Sequence, residues 1–201
     1  MGFVAKIIGV FLLFIGSYNS ISATIHPHVF INTQVTIVFD DDGIKGFEVE
    51  WVFDEMFSEL MFNEYDLDSS KSFDDNEVKK LYKEAFINLK KFNYFTHIYV
   101  GNNQIDIKQT KNFKAIIKDG QMIYQFFIPI QIKATTEYKT IKIYPYDDTY
   151  YMDIVFTDNY PIRFKNNKNY SLSYDIKEDQ DKAYYFNQIY PQVAYLKFKK
   201  K

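Results

Sequence analysis

Val29 to Phe39 alternates along its whole length. Val29, Ile31, Thr33, Val35, Ile37 and Phe39 fall on one face, and Phe30, Asn32, Gln34, Thr36 and Val38 on the other. That period of two predicts a half-buried strand. Asp40-Asp41-Asp42-Gly43 reads as a turn with glycine free to take a positive φ. Phe47, Val49, Trp51 and Phe53 then alternate with Glu48, Glu50 and Val52, which closes a β-hairpin. Asp54 stands where it can cap a following helix.

The period changes after Asp54. From Glu55 to Tyr65, helical spacing groups Phe57, Leu60 and Met61. From Glu77 to Phe92 it groups Val78, Leu81, Tyr82, Ala85, Phe86 and Leu89. Strand patterns return at Tyr94–Val100, Ile105–Ile117, Met122–Ile132, Lys139–Tyr144, Tyr150–Phe156, Tyr170–Ile176 and Val193–Phe198. Pro129 predicts an edge or a bulge. Asp179 to Tyr190 predicts a short helix stopped by Pro191. Strand runs interrupted by one helical pair predict an α+β fold. The expected architecture is an antiparallel β-sheet or sandwich with an EF-hand-like helix-loop-helix inserted after the first hairpin, over residues 54–92.

Asp66 to Glu77 joins the two helical stretches and has the length of a calcium loop. Such a loop takes oxygen ligands at positions 1, 3, 5, 9 and 12 and a backbone carbonyl at 7. Those positions hold Asp66, Asp68, Ser70, Asp74, Glu77 and Ser72, with Phe73 turned toward the core at position 8. Position 6, where glycine takes a left-handed conformation, is Lys71. A side chain there costs about 1–2 kcal/mol, and the ammonium adds positive charge beside a cation. Asp74-Asp75-Asn76-Glu77 is also a capping box for the second helix, and needs no metal for that role.

Three histidines are present, His26, His28 and His97. His26 and His28 stand at i, i+2 in an extended segment, so their rings project to one side, and Pro27 stiffens the link. Two neutral imidazoles so placed can bind a transition metal such as zinc, nickel or cobalt, with His97 as third ligand if its strand lies alongside. The aspartates at 40–42 and at 147–148 read as turn residues. Tyr144, Tyr146, Tyr150 and Tyr151 read as packing.

The amino terminus carries Lys6, an apolar run from Ile7 to Gly16, and a small polar stretch ending at Ala23. That is the layout of a cleavable signal peptide over residues 1–23. It leaves one α+β domain over 24–201, free in the periplasm. The apolar run is shorter than the ~20 residues of a membrane span, and no cysteine follows it to carry a lipid. Having no cysteine also excludes disulfides and thiolate chemistry, so 20 Phe and 18 Tyr must supply the packing. The net charge of −2 gives no footprint for nucleic acid. No nucleophile with a base beside it and no phosphate-binding glycine loop occurs, so no enzyme is expected.

His26-Pro27-His28-Val29-Phe30-Ile31, Trp51-Val52-Phe53-Asp54-Glu55-Met56-Phe57, the acidic loop and Asn93-Tyr94-Phe95-Thr96-His97 together resemble a bacterial exported family, the domain of unknown function 1007. Its members are labelled as the periplasmic component of an uncharacterised ABC-type transport system. The resemblance implies a periplasmic divalent-metal-binding accessory to cation transport, of the nickel, cobalt or zinc type. The partner would be a divalent-cation permease or an ABC-type transporter in the inner membrane. The alternative is a non-catalytic structural or interaction module stiffened by calcium in the loop.

Overall fold

The computed structural model describes residues 27–201. The alternating hairpin forms as its pattern requires, with β1 over Val29–Phe39 and β2 over Gly43–Phe53. Every odd-numbered residue of β1 is buried. The turn is held by Asp40 Oδ1, which accepts from the backbone N–H groups of Asp42 and Gly43. Gly43 has φ +149°, and a Cβ there would lie 2.2 Å from the Ile132 carbonyl oxygen, so no side chain fits.

Two helices follow, α1 over Glu55–Tyr65 and α2 over Asp75–Glu84. Asp54 caps α1 by accepting from the Phe57 N–H, and its other oxygen ties back to the Phe30 N–H of β1. Ser58, fully buried, anchors α1 on the sheet by accepting from the Met122 N–H. Phe57 and Met61 pack on the core as expected, but Leu60 faces solvent, 61% exposed.

The second helix is shorter than its period suggested. It ends at Ala85 (φ −115°) and gives way to a 3-10 segment over Phe86–Phe95. The break lets Phe86 enter the core against Phe113 and Phe126, at 4.1 and 5.0 Å between ring centroids. Asn93, Tyr94 and Phe95 all take positive φ, a left-handed turn costing about 1–2 kcal/mol per residue. Burial of Tyr94 and Phe95, and the bond from the Ile107 N–H to Asn93 Oδ1, offset it. The expected strand therefore starts only at Thr96.

The remaining strands are β3 (Thr96–Val100), β4 (Asn103–Ile105), β5 (Lys111–Lys118), β6 (Gln121–Ile128), β7 (Ile132–Lys133), β8 (Lys139–Pro145), β9 (Met152–Phe156), β10 (Ile162–Lys165), β11 (Tyr170–Glu178) and β12 (Gln192–Lys200). The long run predicted from Ile105 is irregular between β4 and β5, and the run containing Pro129 divides there into β6 and β7. β10 carries too short a pattern to read. The stretch from Asp179 to Pro191 is no helix. It is a turn-rich strap with a bridge between Tyr184 and Ile189 and left-handed Tyr185, Phe186 and Asn187.

One sheet has the order β10-β1-β2-β6-β5, with β9 also on β1 and β7 on β2; the other runs β11-β12-β8-β3-β4. Pairing is antiparallel except that β9 and β10 both run parallel to β1. Parallel neighbours need a long connection, and the excursion of the chain through the other sheet supplies it. One core joins the sheets: Ile31, Ile37 and Trp51 from the first, Ile98, Ile141 and Leu196 from the second. The fold is α+β and mostly antiparallel.

Candidate cation site

The loop between α1 and α2 brings three of its predicted ligands together. One carboxylate oxygen from each of Asp66, Asp68 and Glu77 lies within 4.8 Å of the others. Two oxygens bound to one calcium at 2.3–2.6 Å can stand at most about 4.6–5.2 Å apart, so the spacing fits a hard cation without rearranging the backbone. Among the described residues this is the one group of three or more His, Asp or Glu side chains so placed.

Local hydrogen bonds create the arrangement. Asp66 caps the end of α1, its N–H donating to the Phe62 carbonyl. Its carboxylate accepts from the N–H groups of Ser70 and Lys71, both at 3.0 Å, which folds the loop over it. Asp68 accepts from the Ser70 N–H at 3.0 Å. Hydrogen bonding from Ser70 holds the Asp68 carboxyl below its ordinary range. The Ser70 hydroxyl donates to the Ser72 carbonyl, 3.0 Å away. Lys71 adopts φ +61°, the left-handed conformation expected at position 6, and Ser69 takes φ +56°. Phe73 turns inward against Phe62, at 6.0 Å between rings.

Two predicted ligands are otherwise engaged. Asp74 accepts from the N–H groups of Asn76 and Glu77, and Glu77 Oε2 returns a bond to the Asp74 N–H. That is the capping box, and it turns the Asp74 carboxylate toward the helix. Glu77 is 4% exposed, and its other oxygen accepts from the Leu67 N–H at 2.6 Å. Nothing in the sequence pattern announces the Leu67 bond, because it depends on how closely the loop ends approach.

The histidines are placed differently. His26 lies outside the described residues. His28 is exposed at the start of β1, its ring 4.9 Å from that of Tyr151. His97, on β3 in the other sheet, is buried. Its Nε2 stands 3.2 Å from the Tyr146 carbonyl and its Nδ1 3.2 Å from the Gln104 amide nitrogen. A neutral ring protonated at Nε2 satisfies both contacts, donating to Tyr146 and accepting from Gln104. Both nitrogens thus have protein partners, and a metal at either would have to displace one.

Burial lowers the pKa of His97 from its ordinary 6.5. Below pH 6.5 the unfolded chain binds a proton that the folded chain refuses. Stability from this group is therefore full above 6.5 and falls as pH drops toward the lowered value, by at most about 1.4 kcal/mol per pH unit. Denaturant titrations from pH 7 to 5 should show that loss, and His97→Gln, which cannot titrate, should flatten it.

The tyrosine run divides: Tyr144 and Tyr146 pack, Tyr150 is half-buried and Tyr151 is exposed. Tyr144 and Tyr146 are buried, and Lys182 from the strap lies 5.3–5.5 Å above the rings of Tyr99, Tyr144 and Tyr146. Tyr144 donates to Asp179 at 2.7 Å. Sequence reading missed Lys182, since a lysine in a polar stretch carries no signal of the rings it will meet.

Comparison with known proteins follows the same outline. The chain is 29% identical over 136 residues to an uncharacterised 15.5 kDa protein from the trpE 3' region of Spirochaeta aurantia, covering 68% of this chain and 96% of that one. It is 27% identical over 154 residues to an uncharacterised protein of Haemophilus influenzae, covering 76% of this chain and 73% of that one. The family profile described as protein of unknown function, DUF1007, matches residues 10–184, which include the hairpin, the acidic loop and most strands. The chain belongs to the DUF1007 family.

Proposed function

We propose that this is a non-catalytic divalent-cation-binding protein whose loop 66–77 holds calcium between α1 and α2 in EF-hand-like fashion. The observation that carries the reading is the convergence of Asp66, Asp68 and Glu77 oxygens within 4.8 Å. All the donors are oxygen, which suits a hard cation rather than zinc or nickel. The leader-like residues 1–23 and the family resemblance support export to the periplasm and association with a divalent-cation permease or ABC-type transporter. In that setting His26 and His28 remain the pair for a transported transition metal, with His97 the third ligand only if it gives up a present partner.

Lys71 supplies the test. Its backbone already has the conformation glycine prefers, so Lys71→Gly removes strain without moving the loop. Relief of that strain, about 1–2 kcal/mol, stabilises the free and the bound loop alike, so the gain in affinity comes from lost charge repulsion, and the variant should bind Ca²⁺ about two- to fivefold more tightly. Calorimetry of both proteins reads this directly. Heat from neither would refute the cation site and leave the capping box as the loop's whole purpose. The bonds made by Asp74 and Glu77 favour that second reading, a structural module.

A further inference from the structure

The side of the first sheet that faces away from the core is recessed. Alternation in β1 and β2 sends Gln34, Thr36, Glu48 and Glu50 to that side. Strand pairing extends it with Gln125 and Phe127 of β6, Lys114 of β5, and Arg163 and Lys165 of β10. These residues line a cavity of about 510 Å³, within the roughly 300–1,000 Å³ of small-ligand sites. Its depth shows at Thr36, which is only 9% exposed although it stands on the outer face. The Thr36 hydroxyl has no hydrogen-bond partner among the described residues.

The lining mixes donors and acceptors. Lys165 donates to Glu48 at 2.6 Å, and Gln125 donates to Glu50 at 2.7 Å. Each bond engages one carboxylate oxygen and leaves the other. Gln34 gives an amide N–H to the Tyr160 carbonyl and keeps its own carbonyl. Among the described residues, neither Lys114 nor Arg163 forms an ion pair. One aromatic ring joins them. Phe127 lies against Gly46, where a Cβ would come within 2.3 Å of its ring.

This mixture decides the occupant. An anion would meet Glu48 and Glu50, and a cation would meet Lys114, Arg163 and Lys165. An apolar ligand would strip water from all of them and replace none of its bonds. A hydroxyl suits both kinds of group, because it donates once and accepts twice. A sugar carries several hydroxyls on a ring whose C–H face packs on an aromatic side chain. We infer that the cavity binds a short neutral oligosaccharide. Glu48, Glu50 and Gln34 accept from its hydroxyls, Lys114 and Arg163 donate to them, and Phe127 packs on a sugar ring. No residue of loop 66–77 lines the cavity, so the inference is independent of the cation site.

The full protein, screened in EDTA on an array of neutral, uronic-acid and sulfated oligosaccharides, tests this. Binding to neutral glycans of hexose or N-acetylhexosamine units is expected, with calorimetric affinity unchanged by salt because the ligand has no charge to screen. Lys114→Ala, at an exposed position, should weaken it about tenfold. Glu50→Ala/Gln125→Ala removes both partners of one bond, so neither is left unpaired, and should weaken it at least as much. Urea denaturation checks that both variants fold. The inference is overturned if no neutral glycan binds, if binding is confined to charged glycans and lost in salt, or if folded Lys114→Ala binds as tightly as the wild type.

Discussion

Glu77→Gln is expected to abolish any stabilisation of the protein by calcium and to weaken the free protein as well. Glu77 contributes two oxygens to the loop, and both are occupied by backbone N–H groups, those of Leu67 and Asp74. An amide nitrogen in place of one oxygen sets donor against donor in a site that is 4% exposed. That mismatch costs about 1–3 kcal/mol before any metal is added. With the weak affinity of extracellular loops, Kd about 10⁻⁴–10⁻³ M, calcium at about 10 mM should stabilise the wild type by about 1.4–2.7 kcal/mol. That corresponds to a rise of roughly 3–11 °C in Tm. The variant should show no calcium-dependent rise. Thermal scans of both proteins in EDTA and in calcium separate the two roles of Glu77. A wild type indifferent to calcium would remove the metal and leave the cap.

Trp51→Ala should cost more than any other single change on the sheet, about 3–5 kcal/mol. Trp51 lies at the centre of the aromatic core, 1% exposed. It meets Phe126 at 5.1 Å and Phe53 at 6.2 Å edge to face, and Phe95 at 6.4 Å. Phe95 is a left-handed residue held in place by that packing, so the cavity would also loosen the strained turn before β3. The indole N–H finds no acceptor among the described residues. Trp51→Phe therefore gives up ring volume but no hydrogen bond, and should lose less than half as much. Urea denaturation of the two variants checks both magnitudes.

The hairpin was legible because each of its strands buries one face, and a period of two shows that directly in the chain. The capping residues Asp54 and Asp74 were legible for a similar reason, since a helix end is satisfied by side chains within a few positions of it. A turn between two helices over this stretch was legible too, with Lys71 left-handed, because its hydrogen bonds are local. Other features were set by contacts between distant residues. Helical periodicity ran on to Phe92, yet burial of Phe86 against Phe113 and Phe126 ended α2 at Glu84. Helical spacing assigned Leu60 to the core, but the sheet beneath α1 was already covered by Phe57 and Met61. β9 and β10 took parallel places on β1 through register with residues more than a hundred positions away. His97 reads in sequence as a candidate ligand, and only the packing of β3 beside Tyr146 and Gln104 engaged both its nitrogens. Short-range hydrogen bonding and alternation are properties of the chain itself. Which apolar face is covered, and which polar atom finds a partner, depends on surfaces that come together only when the sheets close.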